Sequence, residues 1–145
     1  MENQLHVQMW MTQRSLWQYL REISDDCGLL PGQPKVLEYL AVHPGCSRRD
    51  IGILWNIDKA TLSGILNRME RDGLLTVQES ESDRRRKKLN ITEKGQIAYE
   101  KMQAMIEKLN VQASAGISAD EMDAFMATLA RIRRNMADFH ISDKI

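Results

Sequence analysis

No stretch of this sequence approaches the ~18 consecutive apolar residues of a membrane span. The first residues, MENQLHVQMWMTQ, lack a basic leader followed by an apolar run. Both absences point to a cytoplasmic protein that makes no use of a membrane. Cysteine is scarce too: Cys27 and Cys46 are the two present, which fits a reducing compartment better than a disulfide framework, although they could form a redox pair. The signatures GxxxxGK[ST], GxSxG and HExxH are all missing, and the three histidines, His6, His43 and His140, are scattered. The paired acids Asp25-Asp26 and Asp120-Glu121 read as solvated helix ends rather than a general-acid pair. No catalytic residue, metal site or cofactor is expected. Net charge is missing as well, with 20 Lys and Arg against 20 Asp and Glu, so the overall charge gives no argument for nucleic acid and its distribution becomes the informative quantity.

What is present is a 145-residue chain, enough for one domain with a proper core, with the ordinary globular balance of 43% hydrophobic and 28% charged residues. Its charge is unevenly spread. Residues 47–88 hold ten Lys and Arg against seven Asp and Glu, leaving the remainder at −3. Within that segment Arg84, Arg85, Arg86, Lys87 and Lys88 are consecutive. Adjacent like charges repel, so a folded chain gains nothing from them unless something outside carries the opposite sign.

The apolar periodicity predicts a largely helical chain. Leu5, Met9, Leu16, Leu20 and Ile23 form a helical stripe, with Trp10 and Trp17 beside it, and Gly28 ends that helix. Pro34 suits the first turn of a short helix burying Val36, Leu37 and Leu40, stopped by His43-Pro44-Gly45. Ser47 with Asp50 opens another, with Ile51 and Leu54 facing the core. After the Asn56-Ile57 turn, Asp58 caps a helix whose Leu62, Ile65, Leu66 and Met69 fall at i, i+3, i+4 and i+7, and Gly73 closes it. Leu75 and Val77, then Leu89 and Ile91, alternate with polar residues as two paired strands whose tip lies among residues 79–86. Thr92 caps a helix bearing Ala98, Met102, Met105, Ile106 and Leu109. Ser118 with Glu121 opens the last, carrying Met122, Phe125, Met126, Leu129, Ile132, Met136 and Phe139.

With the Leu62, Ile65, Leu66, Met69 stripe turned inward, the opposite face of that helix holds Ala60, Ser63, Gly64, Asn67, Arg68 and Arg71, with Thr61 at its edge and Lys59 at its start. Any exposed helix carries polar residues outward. Short side chains here, an amide that can pair with adenine, and cations further along also suit a helix entering a DNA major groove, and the first amides favour phosphate. A basic ribbon follows at once. If its second strand stays regular, Arg85 and Lys87 share parity with inward Leu89, and Arg86 and Lys88 with Asn90; cations beyond the core could straddle a phosphate backbone or enter a minor groove. Helix, turn, helix and basic ribbon together make a winged helix-turn-helix.

The segments DRRRKKLNITEKG and DKATLSGILNRMERDGLL resemble the multiple-antibiotic-resistance regulator (MarR) family, essentially from end to end of the chain. The resemblance implies a mainly α fold with a small two- to three-stranded antiparallel sheet. It implies a single MarR-like domain, 1–145, with a winged helix-turn-helix lobe over 30–92 and dimerisation helices over 1–27 and 93–145. Arg85 matches the wing arginine that reaches into the minor groove, and Asp83 the acid that orients it. Thr61, Ser63 and Asn67 lie where the recognition helix meets bases and phosphates, and with Lys59, Gly64, Arg68, Arg84, Arg86 and Lys87 they complete the expected DNA contacts. Gly64 departs from relatives, which commonly carry a larger polar residue there. Family members are homodimers, and two recognition helices one DNA turn apart demand a pseudo-palindromic operator.

Many relatives release DNA on binding a small aromatic or phenolic compound, and here Trp10, Arg14, Trp17 and Tyr39 could line the pocket, although core packing is the commoner role for such aromatics. Thiol-sensing relatives place a cysteine near the start of the first helix, whereas Cys27 lies at its end and Cys46 in a loop. Zinc-sensing relatives need histidines after the wing, and residues 92–116 have none. The expected function is a dimeric transcriptional regulator that binds double-stranded DNA, a repressor by simple occlusion. The alternatives are a winged-helix module that meets an acidic protein partner and a thiol-redox regulator.

Overall fold

The computed structural model describes residues 1, 3–79 and 87–137. It contains six helices and a two-stranded antiparallel sheet in the order α1 (Leu5–Asp26), α2 (Gln33–Val42), α3 (Arg48–Trp55), α4 (Lys59–Arg71), β1 (Leu75–Glu79), β2 (Lys87–Ile91), α5 (Glu93–Ala113) and α6 (Ala119–Ala137). Two compact units divide the chain, the first running to Lys108 and the second starting at Leu109. Among the described residues, no helix is long and apolar enough to cross a membrane.

Local chemistry sets most element ends. Gly28 and Gly73, at φ +67° and +74°, take the left-handed turn that ends α1 and α4. Each is followed by a leucine whose amide reaches back into the last turn, Leu29 to Ser24 O at 2.9 Å and Leu74 to Met69 O at 2.8 Å. Ser47 and Asp50 form a reciprocal cap on α3: the Ser47 amide donates to Asp50 Oδ2 at 2.8 Å, and the Asp50 amide to Ser47 Oγ at 3.3 Å. In the second unit, Ser118 and Glu121 repeat this arrangement at the start of α6.

The core of the first unit is built from Val36, Leu37 and Leu40 of α2, Ile51 of α3, Leu66 and Met69 of α4, Leu75, Leu89 and Met102, all essentially inaccessible. Leu54 departs from expectation and stands 57% exposed. An eight-residue helix can turn only a narrow stripe inward, and here Ile51 occupies its centre with Gly52 and Trp55 beside it, so Leu54 rolls outward.

The strands pair with Val77 opposite Leu89 and Leu75 opposite Ile91. A third rung comes from far back in the sequence. Gly45 N donates to Leu89 O, and Leu89 N to Cys46 O, both at 2.9 Å, so the α2–α3 connection lies along β2. This bridge gives an otherwise marginal two-stranded ribbon its anchorage.

α1 forms as the periodicity requires, but its apolar stripe is largely uncovered. Ile23 is its one buried residue, while Trp10 and Trp17 are 66% and 56% exposed. The expectation of core packing therefore fails for both tryptophans. In the second unit α6 buries none of its residues, and Phe125, Met126 and Met136 are each more than half exposed.

Candidate nucleic-acid interface

Helix α4 is the candidate reading helix, and its two faces differ sharply. Leu62, Ile65, Leu66 and Met69 are buried, which turns Ala60, Gly64, Asn67 and Arg71 to the opposite side, with Thr61 and Arg68 on one flank and Ser63 on the other. Lys59, Ala60, Thr61, Asn67, Arg68 and Arg71 are exposed; Ser63 and Gly64 are half-buried. The cations gather in the last turn, Arg68 and Arg71, and Arg71 Nε pairs with Asp72 Oδ1 at 3.2 Å.

The start of α4 is capped by Asp58 as expected, and the cap competes with a phosphate for the first amides. Asp58 Oδ1 accepts the Thr61 amide at 2.9 Å and its Oδ2 the Thr61 hydroxyl at 2.5 Å. That hydroxyl bond, with the amide second, holds the Asp58 carboxyl below the usual carboxylate range. A phosphate approaching these amides meets a fixed negative charge. The Thr61 hydroxyl, its proton committed, faces outward as an oriented acceptor.

Helix and ribbon are coupled through one side chain. The Thr92 hydroxyl donates to the Gly73 carbonyl at 2.6 Å, just past the end of α4, and accepts the Gly95 amide at 3.0 Å. Lys94 Nζ adds a bond to Asp72 O at 2.6 Å. Close approach completes the junction, since a Cβ on Gly95 would run into the Leu74 carbonyl. The end of α4, the base of β1 and the start of α5 are thus fastened at one point. On the ribbon, Lys87 and Lys88 are exposed despite their opposite parity. Asp83, Arg84, Arg85 and Arg86 lie outside the described residues.

Of the four candidate ligand residues, Arg14 and Trp17 share one face of α1 with Gln18, Arg21, Glu22 and Asp25, and among the described residues no other element encloses that face. Trp10 and Tyr39 lie outside this group. Trp10 sits edge-on to His6 at 5.2 Å between ring centroids, and Tyr39 leans on His43 at 4.4 Å. Sequence reasoning missed Lys35 and Trp55. The Lys35 ammonium lies 5.7 Å from the Trp17 ring and 5.2 Å from the Trp55 ring, a cation held between two indoles that ties α2 to α1 and α3. Trp55, standing two turns from Arg48 on the inward side of α3, was the available signal.

Both thiols are free, and the pKa of each is shifted upward. Burial, with the Asp50 charge adding to it, pushes Cys46 up to about 11, and burial outweighs the Lys101 ammonium to raise Cys27 as well. Among the described residues, no group of three or more His, Cys, Asp or Glu could hold a metal ion.

The profile of the MarR family matches residues 28–86, the span from the end of α1 into the ribbon. The chain is 30% identical over 122 residues to the homoprotocatechuate degradative operon repressor of Escherichia coli, covering 84% of this chain and 82% of that one. Among solved structures it is similar to the transcriptional regulator SlyA, at a TM-score of 0.81 and 26% identity over 90% of this chain and 92% of the other. It shares its fold with the transcriptional repressor CouR bound to a 23-mer DNA duplex, at a TM-score of 0.82 and 23% identity over 91% and 94% of the two chains.

Proposed function

Because the chain belongs to the MarR family of DNA-binding transcriptional regulators, we propose that it acts as a homodimeric repressor, reading a pseudo-palindromic DNA site and leaving it when a small aromatic or phenolic compound binds. The observation that carries this reading is the α4 face of Thr61, Ser63, Gly64, Asn67 and Arg68, set opposite a fully buried stripe and fastened to a basic ribbon through Thr92. The family is one of regulators rather than enzymes.

In this reading the lobe over residues 30–92 lays α4 in the major groove. Asn67 and Arg68 address base edges, Lys59 and Lys87 hold phosphates, and the Arg84–Arg86 run with Asp83 reaches the adjacent minor groove. The segments 1–27 and 93–145 join two copies. Supporting this, α1 and α6 each leave large apolar side chains uncovered, among them Leu16, Trp17, Phe125 and Met126, on a scale that a lone soluble chain rarely shows. Repression is supported by the repressor to which the chain is 30% identical. For the effector, Arg14 and Trp17, one turn apart on α1, offer a guanidinium for a carboxylate and an indole for an aromatic ring.

The experiment is gel retardation on fragments selected from random double-stranded DNA. The wild type retards a selected fragment, and with about six to ten phosphates engaged its affinity falls about 10³–10⁵-fold between 50 and 200 mM salt. Arg85→Ala with Arg86→Ala abolishes retardation while the chain stays folded. Unchanged retardation in that variant rejects the reading in favour of a protein partner.

A further inference from the structure

The chain has eight glycines, and seven have a reason within the fold. Gly28, Gly32, Gly45, Gly73 and Gly116 hold positive φ, between +67° and +86°, where other residues are strained. Gly52 and Gly95 lie inside or at the start of helices, but a Cβ at Gly52 would stand 3.3 Å from the Ile57 carbonyl, and one at Gly95 would meet the Leu74 carbonyl. Gly64 alone has neither reason. Its backbone is helical, it sits in the middle of the 13-residue α4, and a Cβ built on it meets nothing within 4 Å. Glycine is among the poorest residues for a helix interior, so this position weakens α4 without relieving any contact inside the protein.

Gly64 also lies near the pole of the outward face, about 150° from the centre of the Leu62, Ile65, Leu66, Met69 stripe at roughly 100° per residue. Ala60 precedes it by one turn on that pole, and Asn67 follows by one. The most protruding ridge of the helix therefore has a gap at its centre, with side chains that can address base edges on either side of it.

We propose that Gly64 is a specificity-determining residue of the DNA-reading helix: the missing side chain lets the α4 backbone settle against the groove floor, so that Ser63, Asn67 and Arg68 reach base edges. This rests on the DNA-reading function proposed above. Depth of insertion governs contacts to base edges, which are short and directional. It matters far less to contacts with phosphates, which Lys and Arg make at the groove rims on long flexible stems. A methyl group at position 64 therefore erodes discrimination between sequences before it erodes general affinity.

The test uses the full chain and two duplexes: the fragment most enriched by the wild type from a random double-stranded library, and a shuffled fragment of the same composition. Gly64→Ala raises Tm by about 2–4 °C, as expected where a helix interior gains alanine without a clash. Its affinity for the shuffled duplex stays within about twofold of wild type, because the phosphate contacts persist. Its affinity for the enriched duplex falls about tenfold or more, the worth of at least one base pairing. Gly64→Gln loses as much or more. The proposal is overturned if Gly64→Ala holds the enriched duplex as tightly as wild type, if it weakens both duplexes equally, or if its Tm falls. Failure of the wild type to enrich any duplex is a separate result, visible before a variant is made, that removes the DNA reading and this inference with it.

Discussion

Asp58 shows how much one side chain can decide. As the cap of α4 it supplies the acceptor that the first turn needs, and it also sets a negative charge where a bare helix start would welcome a phosphate. Its pKa is depressed, so the stability it contributes is present above the unfolded value of about 3.9 and is lost as pH falls through the lower folded value. Asp58→Asn keeps a capping oxygen but cannot titrate. Its Tm between pH 5 and pH 2.5 is expected to fall less steeply than that of the wild type, as followed by circular dichroism. Cys46 has the opposite sign. Burial raises its folded pKa to about 11, so its contribution is complete below the unfolded value near 8.5 and disappears as pH rises toward 11. Cys46→Ala is expected to flatten the alkaline limb of the stability profile, and the wild-type thiol should alkylate at pH 7.5 far more slowly than a free cysteine, as read by mass spectrometry. The Asp58 cap was legible in the sequence because it acts on its own helix. The burial of Cys46 was not, since it comes from a bridge to Leu89, forty-three residues away.

At the scale of elements, the starts and stops of helices were legible and their rotation was not. Ser47 with Asp50, Ser118 with Glu121, Gly28 and Gly73 each act through backbone groups within a few residues, so the local pattern suffices. Which face of α3 turns inward depends on what α2 and α4 present to it, and four large apolar residues in eight, Ile51, Ile53, Leu54 and Trp55, could not decide whether Leu54 or Trp55 would be chosen. The junction of α4, β1 and α5 is a further case. Thr92 was expected to cap α5, and it does, but its bond to Gly73 O, which fixes the ribbon to α4, needs the fold. Gly95→Ala pushes a methyl group into the Leu74 carbonyl and is expected to cost about 1–3 kcal/mol in urea unfolding at constant m-value, as overpacking typically does. In DNA retardation the same variant is expected to weaken binding at temperatures where it remains folded, since wing and helix are then held out of register.

For the whole molecule, the uncovered faces of α1 and α6 govern behaviour in solution. Leucine, tryptophan, phenylalanine and methionine side chains half exposed along these helices are costly in water, and the proposed dimer is the arrangement that would cover them. Light scattering after size-exclusion chromatography is expected to give twice the chain mass, and Phe125→Asp to shift the protein toward monomer with weaker operator binding. A wild-type monomer at micromolar concentration would leave the paired-site reading without its geometry. Amino-acid order by itself determined the helices, the caps, the ribbon and the outward chemistry of α4, because each follows from periodicity or from hydrogen bonds a few residues apart. Tertiary structure alone decided that Cys46 lies along β2, that Lys35 sits between Trp17 and Trp55, that Leu54 faces water and that nothing in the fold fills the space beside Gly64. Those outcomes depend on groups brought together across long stretches of chain, where no local spacing carries the information.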